Sequence, residues 1–149
     1  MAPELPKYLF TVMCDDIRPE VNNKLSLMGI YSDQIYFSST PPFHVRSLAF
    51  YNRFSKGKGT FTLKFRITDP DGEHLVETQQ DKTIFPVAQD SEFSTVSVVL
   101  GGLELKKEGP YRFEICVDDD SNQIAIYNFK VATNPAKFTQ SASQLSRSS

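Results

Sequence analysis

Between residues 61 and 68 the chain alternates without a break. Phe61, Leu63, Phe65 and Ile67 are apolar, and Thr62, Lys64, Arg66 and Thr68 stand between them. Successive side chains of an extended strand point to opposite faces, so a period of two turns one face to a core and the other to water. A strand of this kind needs partners on its edges and a second layer over its apolar face. The segment ends at Asp69-Pro70-Asp71-Gly72, a turn in which proline presets the φ of the second position. The expected partner strand follows over 73–80.

The same signals recur along the chain. Strands are expected at 9–14, 25–31, 34–37, 43–54, 93–100, 111–117 and 123–131, with a short apolar piece at 103–105 after Gly101-Gly102. Pro41-Pro42 makes 38–42 a loop, because consecutive prolines cannot join a ladder. In 43–54 the core face changes from Phe43 and Val45 to Leu48 and Phe50, which predicts a β-bulge near Ser47. Tyr111, just after Gly109-Pro110, has the placement of a tyrosine that turns a sandwich corner and bonds back to backbone. About nine short strands with no helical period predict an all-β fold, a single antiparallel β-sandwich of immunoglobulin-like or C2-like type. The expected organisation is a lead-in at 1–7, one domain at 8–132 and a disordered polar tail at 133–149. If every connection reverses the chain, the loops at 15–23, 38–42, 69–72 and 101–110 share one end of the sandwich. Those at 32–33, 55–59, 81–91 and 118–122 then share the other.

A chain of 149 residues is long enough to bury a core without disulfides or metal. Its formal charge of -2 lacks the basic excess that nucleic-acid binding or an anionic membrane surface requires. No signal-peptide pattern and no long apolar run is present, so the expected setting is cytoplasmic. Tyr111, Phe113, Ile115 and Val117 claim the core face, which puts Cys116 on the other face with Arg112 and Glu114. Cys14 and Cys116 are therefore expected as two separate thiols.

No catalytic or phosphate-binding motif is present, His44 and His74 are isolated, and neither a metal nor a cofactor is indicated. Carboxylates do crowd two loops, Asp69/Asp71/Glu73 and Asp118/Asp119/Asp120, as in calcium-binding C2 domains. The loop count sends these to opposite ends, and turn-forming aspartates explain the first set. The densest cluster of opposite charges is Asp15, Asp16, Arg18 and Glu20, with Lys24 shortly after, read as the connection between the first two strands. Two readings of it stand. In one, Arg18 forks onto a carboxylate and pins those strands together; in the other, a loop on a rigid scaffold presents these five residues to a partner protein. The last strand carries a second hint. Ala125, Tyr127, Phe129 and Val131 fit the core, leaving Ile124 and Ile126 on the opposite face, to be covered by a neighbouring segment or by self-association.

Cys14-Asp15-Asp16-x-Arg18-x-Glu20 followed by Lys24-Leu25-Ser26-Leu27-x-Gly29-Ile30-Tyr31 resembles the N-terminal signature of a family of small bacterial proteins known only as a domain of unknown function. Asp69-Pro70-Asp71-Gly72 and Gly109-Pro110-Tyr111-x-Phe113 fit the same family, so the likeness spans residues 8–131. The resemblance implies a bacterial, cytoplasmic β domain and no chemistry. The expected function is a non-catalytic protein-binding or assembly module, with no nucleic-acid or membrane partner. A calcium-dependent C2-like binder is the alternative, and an enzyme of unknown reaction comes third.

Overall fold

A computed structural model describes residues 4–85, 92–118 and 123–133. The described strands are β1 (Tyr8–Glu20), β2 (Lys24–Ile30), β3 (Gln34–Phe37), β4 (Phe43–Ser55), β5 (Gly59–Thr68), β6 (His74–Phe85), β7 (Phe93–Leu105), β8 (Gly109–Val117) and β9 (Gln123–Thr133). They form a four-stranded sheet in the order β2-β1-β4-β7 and a five-stranded sheet in the order β3-β9-β8-β5-β6. Each neighbouring pair is antiparallel except β3 and β9, which run parallel.

The two sheets share one core. Phe61, Leu63, Phe65 and Ile67 are buried as their alternation requires, and Met13, Leu48, Phe50 and Val98 belong to the same cluster from the other sheet. Phe50 stacks on Phe113 across the layers with ring centroids 4.0 Å apart and planes 1° from parallel. Tyr111 is 1% exposed, and its hydroxyl donates to the Lys107 carbonyl at 2.6 Å, so the corner tyrosine bonds back to backbone as expected. In the 69–72 turn Gly72 N donates to the Asp69 carbonyl at 3.0 Å. The Asp69 carboxylate accepts from Asp71 N and Glu73 N at 2.9 Å each.

The change of core face in β4 is present, but no bulge makes it. Every β4–β7 pair from Phe43↔Leu105 to Ser55↔Phe93 keeps one register. The buried positions pass from Phe43 and Val45 to Leu48 and Phe50 in β4, and from Val96 and Val98 to Leu103 and Leu105 in β7. Both strands turn over together at Arg46 and Gly102, where Gly102 takes φ 66, so neither gains a residue on the other. A left-handed residue is what such a turnover requires, and glycine enters that region without steric cost. The pair β1–β2 repeats the device at Asp15 and Gly29 (φ 66), with one register from Cys14↔Ile30 to Glu20↔Lys24.

Residues 15–20 are therefore strand and not a connection. β1 pairs with β4 from Tyr8 to Cys14 and with β2 from Cys14 to Glu20. The hairpin turn is the short 3-10 segment Val21–Asn23, in which Asn22 and Asn23 take φ 62 and 59. Residues 15–30 thus form a two-stranded arm paired only to itself among the described residues. The charges that read as a loop are tolerated in this strand because a ribbon without a second layer keeps both faces near water.

Two further expectations change. In β9, Ala125 pairs with Ile115 and Gln123 with Cys116, which leaves Ile124 as an extra residue. This bulge turns Ile124 against the core, and Ile126, 41% exposed, remains on the outer face. The link expected at the far end near 32–33 crosses between the sheets partway along instead, with Tyr31 N donating to the Met13 carbonyl and Lys130 N to the Asp33 carbonyl. Cys14 and Cys116 are unbridged and buried, one in each sheet. Strand β6 extends through Phe85 into the expected 81–91 link, whose remainder from residue 86 lies outside the described residues. Asp119 and Asp120, and the tail from residue 134, lie outside them too.

Candidate binding surface

Cross-strand partners in the arm share a face. Ile17↔Leu27 and Pro19↔Leu25 make one face apolar, and Asp16↔Met28, Arg18↔Ser26 and Glu20↔Lys24 make the other charged. The turnover at Asp15 and Gly29 decides which way each looks. It brings Ile17 and Pro19 to the side already taken by Phe10 and Val12, the outward side of the four-stranded sheet. Between arm and sheet runs a groove of about 910 Å³, with Phe10, Val12 and Tyr51 on one wall and Pro19, Leu25 and Leu27 on the other. Glu20, Lys24 and Arg53 border it.

The sheet wall is aromatic and cationic. The guanidinium of Arg53 lies 5.2 Å from the Phe93 ring centroid and 5.9 Å from that of Phe10, and Phe10 meets Tyr51 at 6.4 Å between centroids. Arg53 Nε is buried there with no hydrogen-bond partner among the described residues. Phe10, Leu25 and Phe93 each keep 41–45% of their surface in solvent. Apolar surface bordered by separated charges therefore faces water here.

Where the arm leaves β4 a second, polar opening forms, a cleft of about 430 Å³ lined by Asp15, Asp16, Tyr31, His44 and Arg46. The Tyr31 hydroxyl donates to Asp15 Oδ1 at 2.5 Å. Burial, and then that hydrogen bond and the Asp15 charge, push the Tyr31 phenol well above its ordinary value, so it stays a donor. Asp16 Oδ1 accepts from Ile17 N at 2.9 Å. His44 Nδ1 stands 4.0 Å from Glu104 Oε2. Burial also raises the Cys14 thiol, and the Asp15 and Asp16 charges add to this. That keeps it protonated and weakly nucleophilic.

The five charged residues picked out in the sequence do not act as one site. Asp15 and Asp16 line the cleft, Glu20 and Lys24 edge the groove, and Arg18 stands on the arm's solvent face. Arg18 Nε lies 3.4 Å from Asp16 Oδ2 in its own strand, with side chains 63% and 39% exposed. That contact joins no second strand. The acidic loops have structural uses. Asp69 caps its turn, Asp71 pairs with Lys107, and Asp118 Oδ1 accepts from Thr62 N at 3.0 Å. Among the described residues no three potential ligands converge on one point. The groove aromatics Phe10 and Tyr51, and Phe93 against Arg53, were missed, although their place on the outward side of alternating strands was a readable signal.

Residues 9–132 match the sequence model described as "Family of unknown function (DUF6941)". No curated protein matches the chain. Among solved structures it is similar to an immunoglobulin-like protein from Pseudomonas aeruginosa, at 11% identity over 85% of this chain and 96% of that one, TM-score 0.36. It is also similar to the PmoD soluble domain from Methylocystis sp. ATCC 49242 (Rockwell), at 13% identity over 86% of this chain and 97% of that one, TM-score 0.38.

Proposed function

We propose, since the chain belongs to this family of unknown function, that it is a non-catalytic module that binds another protein through the arm and the groove beneath it. The observation that carries this is the arm itself. A ribbon with one apolar and one charged face, held off its parent sheet over a groove of about 910 Å³, adds little to the shared core. It leaves Leu25, Met28 and Ile30 42–63% exposed. Such a surface costs stability and solubility in a monomer, and a partner that buries it removes that cost. Two unbridged cysteines support a reducing, cytoplasmic setting for the same reading.

Leu25→Glu tests it by placing a charge on the groove wall at an exposed position. The variant should melt within a few degrees of the parent, yet lose recovery of its co-purifying protein from host extract about tenfold or more. Equal recovery by a folded variant sinks the reading.

A further inference from the structure

Among the described residues the same side of the sandwich is open in both layers, and only over half its length. In the four-stranded sheet, β1 is paired along Tyr8 to Val12 to β4 alone among the described residues, since its pairing with β2 begins at Cys14. In the five-stranded sheet, β9 is paired along Gln123 to Phe129 to β8 alone among the described residues, since its pairing with β3 begins at Lys130. The link at 31–33 marks the level where both edges become covered, because it hydrogen-bonds to Met13 in one and Lys130 in the other. Both open stretches therefore lie towards the same end of the sandwich. β1 and β9 also run in the same direction, since Tyr8 and Gln123 both start at that end.

Unpaired strand edges are templates for another strand, and soluble proteins blunt them with charge. Neither stretch carries a charged residue, from Tyr8 to Val12 or from Gln123 to Phe129; each holds one bulge near its start, at Leu9 and Ile124, so the regular edges are Phe10–Val12 and Ala125–Phe129. Leu9, Phe10 and Ile126 flank them with 41–42% of their surface exposed. We infer that this side is the interface of a homodimer in which β1 pairs antiparallel with β1 of a second copy and β9 with β9. A single two-fold axis perpendicular to the layers accomplishes both pairings, because each strand meets its own counterpart. An extended peptide from another protein completes one layer and leaves the other open. The absence of charge matters for self-pairing in particular, since a charge near the two-fold axis would lie close to its own counterpart in the second copy. The β1 edge borders the groove through Phe10 and Val12, but the β9 edge and the substituted Leu9 and Ile126 lie outside its lining, as Leu25 lies outside both edges, so failure of the dimer leaves the proposed function standing.

The test is sedimentation equilibrium on the full chain from nanomolar to high micromolar concentration, with amide hydrogen exchange at the two extremes. The expected result is a reversible dimer in which amides of both Tyr8–Val12 and Gln123–Phe129 gain protection as concentration rises. A chain that stays monomeric at high micromolar overturns the inference. So does a dimer in which either stretch exchanges alike at both concentrations. Leu9→Lys combined with Ile126→Lys should weaken association about tenfold or more by facing like charges. Unchanged association of the folded variant counts against the inference.

Discussion

Asp16, Arg18, Glu20 and Lys24 lie within one hairpin, whereas Arg66, Arg112, Glu114 and Gln123 come from three strands of the five-stranded sheet. Within the first group the side chains make one contact with one another among the described residues, 3.4 Å between Arg18 and Asp16 in solvent. In the second, Glu114 is 1% exposed on the outer face of the central strand β8. Its Oε2 accepts from Arg66 Nη2 at 2.9 Å and Arg66 Nε at 3.3 Å, and from Gln123 Nε2 at 2.5 Å. Arg112 Nε lies 2.5 Å from Oε1 and helps to neutralise the carboxylate. Charge density along a chain is thus a poor guide to coupling. Exposed pairs are screened and pay side-chain entropy, whereas a carboxylate without water depends on the partners that surround it.

Breaking the buried group should have the largest effect. Arg66→Met leaves Glu114 buried beside a neutral side chain and should cost about 3 kcal/mol, read as a lower urea midpoint at unchanged m. Adding Glu114→Leu should recover most of the loss, since an apolar pair of similar volume replaces the ion pair. No recovery would mean that Arg66 acts through packing. The same group sets an acid limit. Burial alone would raise the Glu114 carboxyl, but the Arg66 hydrogen bonds and the charges of Arg112 and Arg66 outweigh it and hold the carboxyl below its ordinary value. Its contribution is therefore complete above the unfolded pKa of about 4.3 and is lost as pH falls through the lower folded value. In Glu114→Gln the fall in stability below about pH 4 should be shallower than in the parent.

The arm, by this comparison, should depend on its glycine more than on its charges. At Gly29 an alanine Cβ would overlap the Asp15 carboxylate that holds Tyr31, whereas at Gly102 it meets nothing. Both keep the left-handed φ penalty. Gly29→Ala should then cost about 2 kcal/mol and Gly102→Ala about 1 kcal/mol by chemical denaturation. Equal costs would show that the Asp15 side chain moves aside freely. Arg18→Glu should have the smallest effect, a change within about 0.5 kcal/mol, because its contact is exposed and lies within one strand. A loss of 2 kcal/mol or more, rescued by reversing Asp16, would erase the contrast between the two groups.

Much of the fold was legible for a local reason. The period of two at 61–68, the turn at 69–72 and the corner at Tyr111 each depend on residues within a few positions of one another. Some face assignments were legible as well. Alternation put Glu114 and Cys116 on the outer side of β8, yet it could not say that this side is closed, because closure comes from Arg66 and Gln123 on neighbouring strands. The change of face in β4 was visible from Val45 to Leu48. Its cause was not, since a bulge and a joint turnover differ only in what β7 does at Gly102.

By itself the sequence determined the all-β class, the positions of most strands, the separate thiols and the turns, since each follows from side-chain period or from the backbone preferences of proline and glycine. Tertiary structure decided that residues 15–20 are strand, that Ile124 faces inward, and that five neighbouring charges divide among a cleft, a groove edge and open solvent. It also decided which edges stay open among the described residues. Those outcomes depend on register and on where one strand ends beside another, and such relations between distant segments are settled only when the sheets close over a common core.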